Sequence, residues 1–137
     1  MKNLKLFCCG SCGEVVATYG NAEIKCCGNE LQPIKIEPAG IDDVPEISEM
    51  DEDYVLEYHH VMTKEDYIVA VVAELYDRME MIRLFPEQES LVRLSQDVGG
   101  KMYSIGVDGK PQLRLKGCRL YTVYCKEGNV RATLLKG

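Results

Sequence analysis

The sequence predicts an all-β protein, with a small cysteine-rich metal domain followed by an antiparallel β-sandwich. Three observations carry this. From about Tyr54 onward, runs of β-type residues follow one another with turn signals between them: "DYVLEYHHV", "DYIVAVVAELY", "RMEMIRLF", "SLVRL", "KMYSIGV", "PQLRL", "CRLYTVYC" and "NVRATLL". Five of the seven cysteines lie in the first 36 residues, in two groups each followed by glycine. No apolar run approaches the roughly 20 residues needed to cross a bilayer.

At 137 residues the chain is long enough for one medium core and a small satellite domain. In residues 1–36, the short apolar runs "LKLF", "EVVATY" and "LQPIKI" are separated by glycines, which suits small hairpins. Residues 37–50 open the stretch "EPAGIDDVPEISEMDED", which holds two prolines and reads as an acidic linker with little periodicity. Residues 51–137 form the sandwich. Within "CRLYTVYC", period-2 alternation puts Leu120, Thr122 and Tyr124 on one face and Tyr121, Val123 and Cys125 on the other. Cys118, seven residues before Cys125, faces away from it and is a core candidate. The stretch from Tyr67 to Leu84 tolerates helix or strand. Its β-branched first half and its neighbours favour a long strand and a hairpin near Tyr76–Asp77. "VDGKP" supplies an Asp-Gly turn, and "VGGK" reads as another turn, since it lacks the surroundings of a phosphate-binding loop.

Formal net charge is −6, unevenly placed. Between Lys35 and Lys64 there is no Lys or Arg, while Glu37, Asp42, Asp43, Glu46, Glu49, Asp51, Glu52, Asp53 and Glu57 fall in that interval. Such a surface repels nucleic acid and anionic membranes and slows small anions, so neither is expected as a partner. The N-terminal "MKNLKLFCC" has too few apolar residues for a secretory signal, which points to the cytoplasm. There, an odd number of clustered cysteines favours metal binding over disulfides.

Cys9-Gly-Ser-Cys12 lets one tight turn aim two sulfurs at a point about 2.3 Å away, and Gly13 permits the positive φ such a knuckle needs. Cys26 and Cys27 follow, then Gly28. Neighbouring side chains on an extended backbone point apart, so the chain must bend at that pair, and the tetrahedron should be distorted. Cys9, Cys12, Cys26 and Cys27 are therefore the expected ligands. Cys8 is the spare, because its spacing to Cys12 is looser. A four-sulfur site takes Zn²⁺ or a single iron, and the residues leave that choice open.

"CGSCG…CCGNEL" resembles desulforedoxin and the N-terminal domain of desulfoferrodoxins, the two-domain superoxide reductases. The resemblance implies a rubredoxin-like domain with one mononuclear iron bound by four cysteines, an immunoglobulin-like sandwich after it, a homodimer, and a redox partner protein as electron donor or acceptor. The family's sandwich holds a second iron, with four histidines in a plane, an axial cysteine, and a lysine that draws in superoxide. Here the segment "DDVPEIS" puts Asp42 at the lysine position and Asp43 at the first histidine position. In "HHVMTKEDYIVAV", His60 keeps a ligand position and Asp66 replaces another. In "VYCKEGNV", Cys125 keeps the axial position and Gly128 replaces the last histidine. The chain has only two histidines, so a four-histidine site cannot form within it. His60, Cys125, Asp43 and Asp66 are the candidates for a remodelled site. The sequence thus predicts an electron-transfer protein with one iron and a lost or altered superoxide centre. The alternative reading is a zinc-stapled binding module without catalysis. Neither histidine sits in a hydrolytic nucleophile context.

Overall fold

The computed structural model describes residues 3–96, 101–107 and 110–136. The expected turns at Asp108–Gly109 and Val98–Gly100 lie outside the described residues. The first strands are β1 (Lys5–Cys8), β2 (Val15–Thr18), β3 (Ile24–Cys26), β4 (Asn29–Leu31) and β5 (Ile36–Pro38), followed by a 3₁₀ turn over Ile41–Asp43. Then come β6 (Glu46–Met50), β7 (Asp53–Glu57), β8 (Asp66–Leu75), β9 (Met79–Arg83) and β10 (Leu91–Ser95). The last four are β11 (Lys101–Val107), β12 (Lys110–Lys116), β13 (Cys118–Lys126) and β14 (Asn129–Lys136). The all-β expectation holds.

A five-stranded sheet, in the order β5-β14-β13-β8-β9, forms the middle of the molecule. A three-stranded sheet, β10-β7-β6, and the β11–β12 hairpin cover one of its faces. Ile68, Val71, Ala73, Leu120 and Tyr124 pack there against Leu56, Val92, Leu94, Met102, Leu113 and Leu115. The β1–β2 hairpin covers the opposite face, where Leu4, Leu6, Cys8 and Val15 meet Val69, Val72, Tyr121, Val123 and Cys125. Burial on both faces explains why "IVAVVA" in β8 is a continuous apolar run rather than an alternating one, and hence why it tolerated a helical reading. Each fully buried aliphatic side chain of this kind contributes about 1.5–3 kcal/mol.

The alternation expected for β13 is observed: Leu120 and Tyr124 belong to one cluster, and Tyr121, Val123 and Cys125 to the other. Cys118 lies in the core on the face opposite Cys125, as expected. The hairpin at Tyr76–Asp77 is present, closed by the Leu75 N–H donating to the Arg78 carbonyl at 2.8 Å. A bulge was not anticipated. The β8–β13 register slips at Val123/Tyr124, so that Val69 and Ala70 both face the β1–β2 hairpin. The Val69 carbonyl instead accepts from the Leu84 N–H at 2.9 Å.

The acidic stretch differs from a bare connector. Its start carries β5, which pairs in parallel with β14, and Glu46–Met50 pairs with β7 as an edge strand of the sandwich. The burial pattern of β6 shows why the sequence conceals it, since only Ile47 is even half-buried. We expect Ile68→Ala, at a fully buried position, to cost about 2–5 kcal/mol, measured as a fall in the urea midpoint with an unchanged slope.

Candidate metal centre

Two tight turns build the site. The first joins β1 to β2. The Cys9 N–H donates to the Glu14 carbonyl at 2.9 Å, and the Gly13 N–H donates to the Cys9 carbonyl at 2.8 Å. Gly13 has φ 76°, the left-handed conformation its position requires. The second joins β3 to β4. Cys26 pairs with Asn29, leaving Cys27 and Gly28 as a two-residue turn with φ of 52° and 78°. Two successive positive values are the mark of a type I′ hairpin turn, where asparagine normally leads. A cysteine there is strained, and the bend demanded by the adjacent pair falls on that residue.

The Sγ atoms of Cys9, Cys12, Cys26 and Cys27 all lie within 4.8 Å of one another. Cys12 and Cys26 are 3.3 Å apart, and Cys26 and Cys27 are 4.0 Å apart. Four sulfurs about 2.3 Å from one ion stand about 3.8 Å apart in a regular tetrahedron, so the cage has the right size and a moderate distortion. A disulfide needs sulfurs about 2.05 Å apart, and all seven cysteines are free. Cys9 is buried, Cys26 half-buried, and Cys12 and Cys27 are exposed, so one edge of the cage faces solvent.

Cys8 is outside the cage. It is buried in the cluster with Cys125, and burial, with Cys125 adding to it, pushes its thiol up to about 11. Within the cage, amide N–H groups of Cys12 and Ser11 pull the Cys9 thiol down to about 6. Hydrogen bonding to Cys12 and Cys9 pushes the Cys26 thiol up to about 12, and Cys27 is raised by the same two partners. Near neutral pH the metal-free cage therefore retains protons on Cys26 and Cys27 that a bound ion must displace.

The sandwich grips the first turn. Arg83 Nη2 donates to the Gly13 carbonyl at 2.6 Å, and Arg83 Nη1 stands 3.5 Å from the Glu14 carboxylate. A Cβ on Gly13 would lie 3.1 Å from the Tyr67 hydroxyl, and one on Gly10 would lie 2.7 Å from the Gly128 carbonyl. The knuckle thus sits against β8, β9 and the β13–β14 turn. None of these residues was singled out as a neighbour of the cysteines, and no local motif could have done so, because Arg83 is 70 positions from Gly13.

The candidates for a second site are divided. His60 Nε2 and Asp66 Oδ1 are 3.0 Å apart, and the His60 ring lies 5.3 Å from that of Tyr124. Asp43 is instead bound by Arg131 at 2.9 Å and accepts from the Gly40 N–H, also at 2.9 Å. Burial pushes the Asp43 carboxyl up, but Arg131 and the Gly40 amide outweigh this and hold it below the usual range. The Arg131 guanidinium stacks over Tyr124 at 4.0 Å. Cys125 faces the other side of the sheet, toward Cys8. Among the described residues, no three of Asp43, His60, Asp66 and Cys125 bring ligand atoms together as the four cysteines do. Gly128, with Glu127, forms another left-handed two-residue turn, with φ of 80° and 51°. This donor set does not fit a second iron. A different trio, Glu46, Glu57 and His59, does converge, but all three are exposed.

No protein-family model matches the sequence, and no curated protein matches it. Among solved structures, the chain is similar to the crystal structure of the superoxide reductase from Treponema pallidum. The TM-score is 0.65 at 12% identity, over 99% of this chain and 100% of that one. The fold is therefore that of the superoxide reductase and desulfoferrodoxin type. The four-cysteine cluster it carries can bind a metal. No helix among the described residues is long and apolar enough to cross a membrane.

The proton inventory sets a pH dependence. Because Cys26 is raised to about 12, binding displaces its proton at every pH below that value. Since Cys27 also gives up a proton, apparent affinity rises with pH by roughly a hundredfold or more per unit between pH 6 and 8. It steepens below pH 6, where Cys9 also takes up a proton. Competition with a chromophoric chelator across this range checks the slope, and a flat profile would contradict it.

Proposed function

We propose that this protein is a one-electron carrier with a single mononuclear iron held by Cys9, Cys12, Cys26 and Cys27. The observation that carries the reading is the four-sulfur cage with one edge buried and Cys12 and Cys27 at the surface. A four-thiolate iron supplies one-electron exchange between its ferrous and ferric states. The protein's residues do the rest. The two glycine turns fix the sulfurs whatever the charge inside, which keeps reorganisation small. Cys9, buried in the β1–β2 turn, excludes water from the inner side, and the exposed Cys12 and Cys27 give a short path to a docked redox protein in the cytoplasm. By resemblance the working unit is a homodimer.

The superoxide-reducing centre is absent in this reading. Asp43 is occupied by Arg131, Cys125 points to the opposite face, and the tip where the family carries its last histidine is the tight turn at Gly128 that contacts Gly10. The Asp42 carboxylate also replaces the charge that would draw in superoxide.

A zinc-stapled, non-catalytic module is favoured by one observation. Strands β3 and β4 are three residues each, with no fully buried side chain, and such a hairpin does not hold by itself. An ion in the cage would tether it under either reading, so the identity of the metal decides between them.

Protein purified from iron-replete cells should be red from sulfur-to-iron charge transfer, contain one iron per chain, and lose the colour in Cys12→Ser. Colourless protein with one zinc per chain would favour the staple. Superoxide consumption should stay near the uncatalysed rate. Rapid consumption abolished by Cys125→Ser would refute the loss of that centre.

A further inference from the structure

We infer that Arg83, a residue of the sandwich, is the positioning and charge-tuning partner of the four-cysteine centre, setting how readily that centre accepts an electron. The inference rests on the iron-carrier reading and deepens it.

Three features converge on this side chain. It is held at the cage: Nη2 donates to the carbonyl of Gly13, the residue directly after Cys12, at 2.6 Å. It is held away from bulk water: the side chain is 29% exposed, and its Nε is buried without a hydrogen-bond partner. A buried guanidinium donor left unpaired is costly, so a position that tolerates it needs a compensating interaction. And its charge is only partly answered. The nearest carboxylate, Glu14, stands 3.5 Å from Nη1 and is itself 57% exposed, which weakens its grip on a partly buried cation. The guanidinium also lies over the Phe85 ring, 5.6 Å from its centroid.

The electrostatics fix the sign. Ferric iron with four thiolates carries one net negative charge, and the ferrous form carries two. A fixed positive charge beside the cage favours the form with more negative charge, so Arg83 raises the midpoint potential. Glu14 opposes it. Because Arg83 also pins the turn carrying Cys12, position and potential are governed by one residue 70 positions away in sequence from Gly13.

The test is a visible-absorption redox titration of the iron-loaded protein, with an external reductant and mediators, at the wild-type midpoint. Arg83→Gln should reduce the ferrous-to-ferric ratio at least about threefold, where tenfold corresponds to 59 mV for one electron. Arg83→Lys, which keeps the charge, should stay within about twofold of wild type. Glu14→Gln should move the ratio in the opposite direction, toward ferrous. A purely structural role for Arg83 would not give opposite shifts, and equal ratios in wild type and Arg83→Gln would overturn the inference. If Arg83→Gln fails to fold, Glu14→Gln alone decides: no shift toward ferrous overturns it. Wild-type protein that takes up no iron would overturn the carrier reading and this one together. Iron uptake with unmoved ratios would overturn this one alone.

Discussion

The structure turns on bringing four sulfurs to within 4.8 Å of one another at the ends of two short hairpins. Thiols packed so closely resist ionising together, and Cys12 and Cys9 push the Cys26 thiol up. A cation at the centre removes that conflict, since it is attracted by all four sulfurs and lets each surrender its proton. The backbone is bent to serve this geometry, with Cys27 held at a positive φ that cysteine adopts only under constraint. The β3–β4 hairpin contributes almost nothing to the apolar clusters, so its place in the molecule depends on those sulfurs.

A second constraint makes the cage part of the larger fold. The five-stranded sheet buries both faces, and one of them is closed by the same β1–β2 hairpin whose turn carries Cys9 and Cys12. Leu6, Phe7, Cys8 and Val15 are buried along this hairpin, so the knuckle grows out of a packed support. The contact of Gly10 with Gly128 leaves no room for a side chain at the first of these positions, and together with Arg83 it ties the cage to strands far away in sequence.

Much of this was legible in the sequence because the signals were local. The glycine-flanked cysteines marked both turns and the four sulfurs that the structure brings together. The period-2 pattern of "CRLYTVYC" gave both faces of β13 correctly. What escaped was long-range or unmarked by apolar residues. Strand β6 was hidden in the acidic stretch because as an edge strand it presents exposed Glu46, Glu49 and Met50, and only Ile47 packs against the core. The bulge at Val69 leaves no mark in a run where every residue is apolar. Arg83 was invisible because its role comes from tertiary proximity to Gly13.

Around Tyr124 the charged side chains are paired with one another. Asp43 and Arg131 occupy each other, and Arg131 in turn stacks on Tyr124, which has His60 near its ring. These contacts satisfy the polar groups internally, so no metal is needed to relieve a buried charge. The contrast with the cysteine cage is physical. Removing an ion from the cage leaves crowded, partly protonated thiols and a hairpin without a core, whereas the Asp43–Arg131 and His60–Asp66 pairs are complete as they stand. At the sulfur end of the molecule a single guanidinium from β9 reaches the turn that carries Cys12, and the sandwich becomes the support and electrostatic environment of the cage.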